Sequence, residues 1–206
     1  MTHNPDFDKK RHFQLASGDT VEFRLRELAA KPGSKIELGK DFDPAFTGGL
    51  DAKKAAIDQV TNNIDRLAGL QERLYAQGTH GLLVVLQGID SSGKDGMVRH
   101  VFSGVNPQGC TVTGFKAPSA EELAHDYLWR AHRALPRRGM IGIFSRSHYE
   151  EVLVVCVHPE FLANQRLPGE SGGKHFWKRR FTEINDFERA LVDNGIVVIT
   201  LFLNIS

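Results

Sequence analysis

The sequence predicts an α/β fold, a parallel sheet flanked by helices on both faces. Three observations carry this prediction. Apolar runs recur at residues 82–87, 140–144 and 196–203, with the branched, leucine-rich composition of strands buried on both sides. Segments of helical period separate them. The stretch Gly88-Ile89-Asp90-Ser91-Ser92-Gly93-Lys94-Asp95 joins the first run to a helix, which is how a phosphate-binding loop is built. Strands alternating with helices imply right-handed crossovers and a ligand site at the carboxyl ends of the strands.

The elements follow in order. Residues 1–48 are polar and punctuated by Pro5, Pro32, Gly33, Gly39, Pro44 and Gly48, and read as an N-terminal extension that wraps or stays mobile. Residues 49–206 read as the phosphate-loop α/β domain. It opens on an amphipathic helix with Ile57, Val60, Ile64, Leu67 and Leu74 on one stripe, ending at Gln77-Gly78. Strand 82–87 leads through the loop to helix 94–103, where Met97, Val98, Val101 and Phe102 keep helical spacing. A short strand at 111–115 and a helix from Ser119 to Ala134 come next, with Ser119, Glu121 and Glu122 as its start signal and Pro136 as its stop. Strand 140–144, a short helix at 149–157 and a Gly/Pro-rich loop at 168–173 precede a long helix from Lys174 to Val192. Asp193-Asn194-Gly195 ends that helix, and strand 196–203 follows.

A chain of 206 residues is long enough to bury a core. Its 26 basic and 25 acidic residues nearly cancel, so a polyanion must be met by a local cluster and nucleic acid is not an expected partner. Cys110 and Cys156 have no metal-ligand spacing and fit a reducing compartment. No apolar run is long enough to span a bilayer and no signal peptide is read, so a cytoplasmic location without a membrane partner is expected.

In the loop, glycines let backbone N–H groups converge on phosphate oxygens, the following helix adds its positive end, and Lys94 adds a mobile charge. Gly88, Ser91, Ser92, Gly93 and Asp95 are the positions expected to meet phosphate beside it. The residue after the lysine is ordinarily Ser or Thr, whose hydroxyl holds Mg²⁺; here it is Asp95. Asp90 lies inside the loop, where phosphates would repel a carboxylate unless it holds the metal, so it reads as a Mg²⁺ ligand, with an Asx-type turn as the alternative. Strand 140–144 ends in Ser145-Arg146-Ser147-His148-Tyr149-Glu150-Glu151. Ser145 stands where an Asp usually anchors the metal, and Glu150 or Glu151 supplies the missing charge unless it merely compensates a helix dipole. Arg146 is placed to meet phosphate, whereas His148 reads as a surface or capping residue. Lys116, Arg130, Arg133, Lys174 and Lys178 are candidates for a basic rim, within the groups Arg130, Arg133, Arg137, Arg138 and Lys174, Lys178, Arg179, Arg180. A row of such cations suits a phosphate polymer better than a compact substrate.

Taken together, these stretches resemble the family-2 polyphosphate kinases. The matching segments are the loop, Phe115-Lys116-Ala117-Pro118-Ser119, Tyr127-Leu128-Trp129-Arg130, Ile141-Gly142-Ile143-Phe144-Ser145-Arg146-Ser147-His148-Tyr149-Glu150 and Glu183-Ile184-Asn185-Asp186-Phe187-Glu188. The Ser-His-Tyr-Glu form is similar to the subgroup that phosphorylates AMP as well as ADP. The resemblance implies a P-loop kinase-like fold and Mg²⁺ held at Asp90 and position 145. It also implies phosphates engaged by Lys94 and Arg146, polyphosphate in the basic groove, and in-line transfer to AMP or ADP, giving ADP or ATP. It accounts for Asp95, because the family does not require a hydroxyl there.

Four departures stand out: Ser145 in place of Asp or Asn, Cys156 in place of Arg, Asn204 in place of His, and an end at Ser206 where the family continues into a lid. A missing lid is expected to weaken transfer and to leave part of the sheet uncovered. The leading expectation is therefore a Mg²⁺-dependent polyphosphate:nucleotide phosphotransferase, expected to form a homo-oligomer. The rivals are a truncated phosphate-binding remnant that joins full-length relatives and an ATP-dependent small-molecule kinase.

Overall fold

The computed structural model describes residues 9–14, 20–24, 27–31, 33–47, 53–169 and 171–204. Much of the expected N-terminal extension, Pro5, Pro32 and Gly48 included, lies outside the described residues. The chain divides into two compact units, Met1–Leu67 with Asn204–Ser206, and Ala68–Leu203.

In the first unit, strands β1 (Lys10–Gln14) and β2 (Thr20–Arg24) pair antiparallel, with Lys10 opposite Arg24 and His12 opposite Glu22. The sequence reading expected no element here. The period-2 pattern is only five residues long in each strand, and cross-strand charge supports the pairing: Glu22 accepts from Lys10 Nζ at 2.7 Å and faces His12 Nδ1 at 2.9 Å. The Lys10 hydrogen bond holds the Glu22 carboxyl below its ordinary range. A single turn, α1 (Leu38–Asp41), follows, and Asn204 Nδ2 donates to the Phe42 carbonyl at 3.2 Å.

Helix α2 (Lys53–Gln77) forms as its periodicity predicts. Its apolar stripe is covered only in part: Ile57 and Val60 are 54 % and 43 % exposed, while Ile64, Leu67 and Leu74 are half-buried.

The second unit holds a four-stranded, wholly parallel sheet of order β4–β5–β3–β6, from β3 (Gly81–Gln87), β4 (Cys110–Gly114), β5 (Ile141–Ser145) and β6 (Ile196–Phe202). β3 lies in the centre, with Leu86 opposite Ser145 of β5 and Leu201 of β6. The core gathers Leu83, Val85, Phe115, Phe144, Phe187, Leu191 and Ile196, and Phe115 meets Phe144 edge to face at 4.8 Å.

Helix α3 (Lys94–Val101) follows the loop. The predicted helix 119–134 is instead two short ones, α4 (Ala120–Leu123) and α5 (Trp129–Arg133). Its start is as read, a capping box in which Ser119 Oγ accepts from Glu122 N and Glu122 accepts from Ser119 N. Asp126 breaks it, because its carboxylate takes the Leu128 N–H at 2.9 Å and its carbonyl takes Trp129 N–H at 3.0 Å, a local turn that competes with the helix. The expected helix 149–157 is a π-helical turn (Glu151–Val155), followed by a 3₁₀ segment (Pro159–Gln165) that was not anticipated. Helix α6 (Lys174–Asp193) packs on β6. Among the described residues no helix is long and apolar enough to cross a membrane.

Phe144 is fully buried at the centre of this core. Phe144→Ala is expected to cost about 3–5 kcal/mol in urea unfolding; a loss under about 1 kcal/mol would show that the core closes without it.

Candidate active site

Parallel pairing of β3 with β5 brings two chain segments to the same edge of the sheet. Beyond Gln87 the chain turns into the phosphate loop, and beyond Ser145 it turns at Arg146, whose N–H donates to the Leu86 carbonyl at 3.0 Å. Gly88 permits the first turn: at its φ of 155°, a Cβ would fall 2.5 Å from Ser92 Oγ and 3.0 Å from the Leu203 carbonyl. Gly93 precedes α3 in the left-handed region (φ 83°), and no side chain caps the helix behind it. Ser91 (φ 67°) and Arg146 (φ 63°) are non-glycine residues in that same region. Such backbone costs on the order of 1 kcal/mol or more per residue and collects at functional sites.

Lys94 is buried and folds back on the loop, donating to the carbonyls of Gly88 (2.9 Å) and Ile89 (2.8 Å) and to Ser92 Oγ (3.3 Å). Asp90 is 84 % exposed, and its carboxylate is held by the Arg146 guanidinium, not by a neighbouring N–H as an Asx turn would need. The same guanidinium lies 3.8 Å from Glu150, which also accepts from Gln87 Nε2 at 3.2 Å. Ser145, half-buried, ends β5 and gives its carbonyl to Phe115 N–H at 3.0 Å. Asp90, Arg146 and Glu150 are thus brought together. Gln87, which orients Glu150, was not singled out in the sequence, since a polar residue ending an apolar run gives no signal of its own.

Beside Arg146 opens a cavity of about 350 Å³, with Lys116, Arg130, Arg146 and Glu150 on its charged side and Phe115, Pro118 and Tyr127 among its apolar walls. Arg130 is already engaged, donating to the Lys116 carbonyl at 2.8 Å over the Phe115 ring. Arg133, Lys174 and Lys178 do not line this cavity. Arg133 stacks on Trp129, which also stacks on the His125 ring at 4.0 Å. Arg137 and Arg138 precede β5 and lie at the opposite, amino edge of the sheet, where Arg138 donates to the Asn194 carbonyl.

Two sequence expectations are corrected by burial. His148 is no surface residue: it is 3 % exposed, packs on Phe187 and sits 3.2 Å from Glu188, which also accepts from Tyr149 Oη at 2.7 Å. Arg180 is not part of a basic rim: it is 8 % exposed and paired with Glu151, itself 6 % exposed. Desolvation raises the Glu151 carboxyl against the opposing pull of Gln165 and Arg180. Desolvation and the adjacent glutamates, Glu183 and Glu188, push the phenols of Tyr127 and Tyr149 well above the ordinary range.

A glycine-rich loop after a central parallel strand, with an arginine facing it across the sheet edge and a cavity beside that arginine, belongs to a P-loop kinase-like fold. The Polyphosphate kinase 2 (PPK2) family model matches residues 51–206, and the chain belongs to this family. It is 45% identical over 191 residues to an ADP-polyphosphate phosphotransferase of Rhodopseudomonas palustris, covering 91% of this chain and 63% of that protein. It is likewise 45% identical over 186 residues to an AMP/ADP-polyphosphate phosphotransferase of Meiothermus ruber, covering 88% and 64%. The polyphosphate kinase 2 structure from Arthrobacter aurescens superposes with a TM-score of 0.75 at 38% identity, over 87% of this chain and 60% of that one. The chain therefore spans somewhat under two thirds of the length of these relatives.

The raised tyrosines give a pH prediction with a definite sign. Their folded pKa lies above the unfolded value near about 10, so their stabilisation is complete below that pH and is lost as pH rises through the folded value. Urea unfolding across this alkaline range should show stability falling with pH, and falling less steeply in Tyr149→Phe. Equal slopes would contradict the burial of that phenol.

Proposed function

We propose that this chain transfers the terminal phosphoryl group of inorganic polyphosphate to AMP or ADP, with Mg²⁺ bound. The observation that carries the reading is Arg146, held in a left-handed turn between loop residue Asp90 and Glu150 and lining the cavity. In that position one guanidinium reaches both the loop, where polyphosphate would lie, and the cavity, where the acceptor would lie. The relatives' names supply the substrate classes.

The donor set suits Mg²⁺. Among the described residues no three His, Cys, Asp or Glu converge as a metal cage, yet magnesium at phosphates needs only one or two carboxylates, the rest coming from water and phosphate. Asp90 and Glu150 are those carboxylates, and the Gln87 Oε1 beside Glu150 is buried with no hydrogen-bond partner, an acceptor that a metal-bound water would satisfy. Bound there, the ion would neutralise charge on the phosphates.

The chain's own residues bind and orient. N–H groups of the loop and the uncapped start of α3 take the polymer's terminal phosphates, and Lys94 turns from its carbonyl partners to them. Arg146 exchanges Asp90 for phosphate oxygen. An oxygen of the acceptor phosphate then attacks in line: its bond to phosphorus forms as the bond to the bridging oxygen breaks, and the polymer leaves one phosphate shorter. The free thiols Cys110 and Cys156 suit a reducing cytoplasm as the setting.

Purified chain given polyphosphate, Mg²⁺ and AMP or ADP is expected to form ADP or ATP, and a chelator to stop it. Lys94→Ala and Asp90→Asn should each lower the rate about a hundredfold or more. Product formed equally fast by Lys94→Ala, or from ATP but not from polyphosphate, would overturn the reading.

A further inference from the structure

Part of the cavity wall is held from behind by one buried side chain. Arg180, on α6, does not line the cavity, but three residues that it touches do. Its Nε is 3.2 Å from Glu151 Oε1, its Nη2 donates to Gln165 Oε1 at 3.4 Å, and its guanidinium lies 4.0 Å over the Tyr127 ring. On its other side it packs 4.9 Å from the Phe176 ring, and Nη1 donates to Glu183 at 3.0 Å. Glu183 closes the circuit by accepting from Tyr127 Oη at 3.1 Å, and Gln165 does so by donating to Glu151 at 2.8 Å.

The circuit joins four separate pieces of chain: the turn between α4 and α5, the π-helical turn, the 3₁₀ segment and α6. Only a planar fork serves all of them at once, since it stacks on two aromatic faces while its edge serves two carboxylates and an amide. Glu151 directly follows Glu150 in the π-helical turn, so its anchor also sets the backbone that carries Glu150. A hydrophobic residue would fill the same volume more cheaply, because buried ion pairs add little net stability. The pair is also imperfect: Glu151 Oε1 and Arg180 Nε approach without hydrogen-bond alignment. Stability alone gives weak reason for such a network, whereas fixing three cavity-lining side chains in one geometry gives a direct one.

We propose that Arg180 is a positioning residue for the acceptor nucleotide: without touching it, Arg180 fixes Tyr127, Gln165 and Glu151 in the cavity wall and so sets nucleotide affinity apart from polyphosphate affinity. This rests on the cavity being the acceptor site, as proposed above.

The test is calorimetric binding of ADP and of polyphosphate, each with Mg²⁺, to the wild-type chain, to Arg180→Lys and to the neutral pair Glu151→Gln/Arg180→Met, with urea unfolding of each. The double variant leaves no unpaired buried charge and is expected to stay folded at near wild-type stability. In both variants ADP should bind about tenfold or more weakly, the worth of roughly one hydrogen bond, with polyphosphate affinity within about twofold. ADP binding within about twofold of wild type in the folded double variant would overturn the role of Arg180 while leaving the cavity reading intact. Parallel loss of both ligands would also overturn it, by showing a general structural role. A wild-type chain that binds polyphosphate but no ADP would remove the acceptor cavity, and the inference with it.

Discussion

Parallel registry of β3 with β5 is the constraint on which the rest depends. Because Leu86 stands opposite Ser145, the two strands end within one residue of each other, and the loop from Gly88 and the turn at Arg146 emerge side by side. Every other feature of the site follows from that adjacency: the pairing of Asp90 with Arg146, the reach of Glu150 to Gln87, and the cavity opening past Arg146. A strand displaced by one residue would exchange the side chains of its two faces and point Arg146 away from the loop.

The cations of the site are held by its own groups in this state. Lys94 bonds loop carbonyls and Arg146 bonds a loop carboxylate, so the two cations proposed to meet phosphate are held on partners at the loop itself. Exchange of partners costs less than exposure of a free buried charge, and the left-handed turns at Ser91 and Arg146 hold the groups ready for it. A magnesium ion at Asp90 would compete with Arg146 for the same carboxylate. On the proposed function, metal and polymer would thereby be coupled through one guanidinium.

Most of the sheet and the loop could be read from the sequence, because a strand buried on both faces and a glycine-rich turn leave strong local patterns. The capping box at Ser119 was equally local. What escaped was set by distance or by competition. The break at Asp126 depends on whether a short side chain bonds its own backbone, which periodicity does not reveal. Arg180 sat in a run of cations opening a helix and looked solvated, and its partner Glu151 lies 29 positions away in another element. Arg137 and Arg138 were grouped with the rim by charge alone, although they precede a strand and so belong to the opposite edge. Arg146 and Glu150 stand out in the sequence because they follow a strand directly, where parallel topology places ligands, and the structure brings the two together there.

On the proposed function, Arg146 leaves Asp90 to hold phosphate beside the cavity. A crystal structure of the chain grown with polyphosphate and Mg²⁺ tests it most directly. Phosphate oxygens are expected within hydrogen-bond reach of the Ser91–Lys94 backbone and of the Arg146 guanidinium, with Asp90 turned to the metal. Polyphosphate bound elsewhere while Arg146 still grips Asp90 would contradict it.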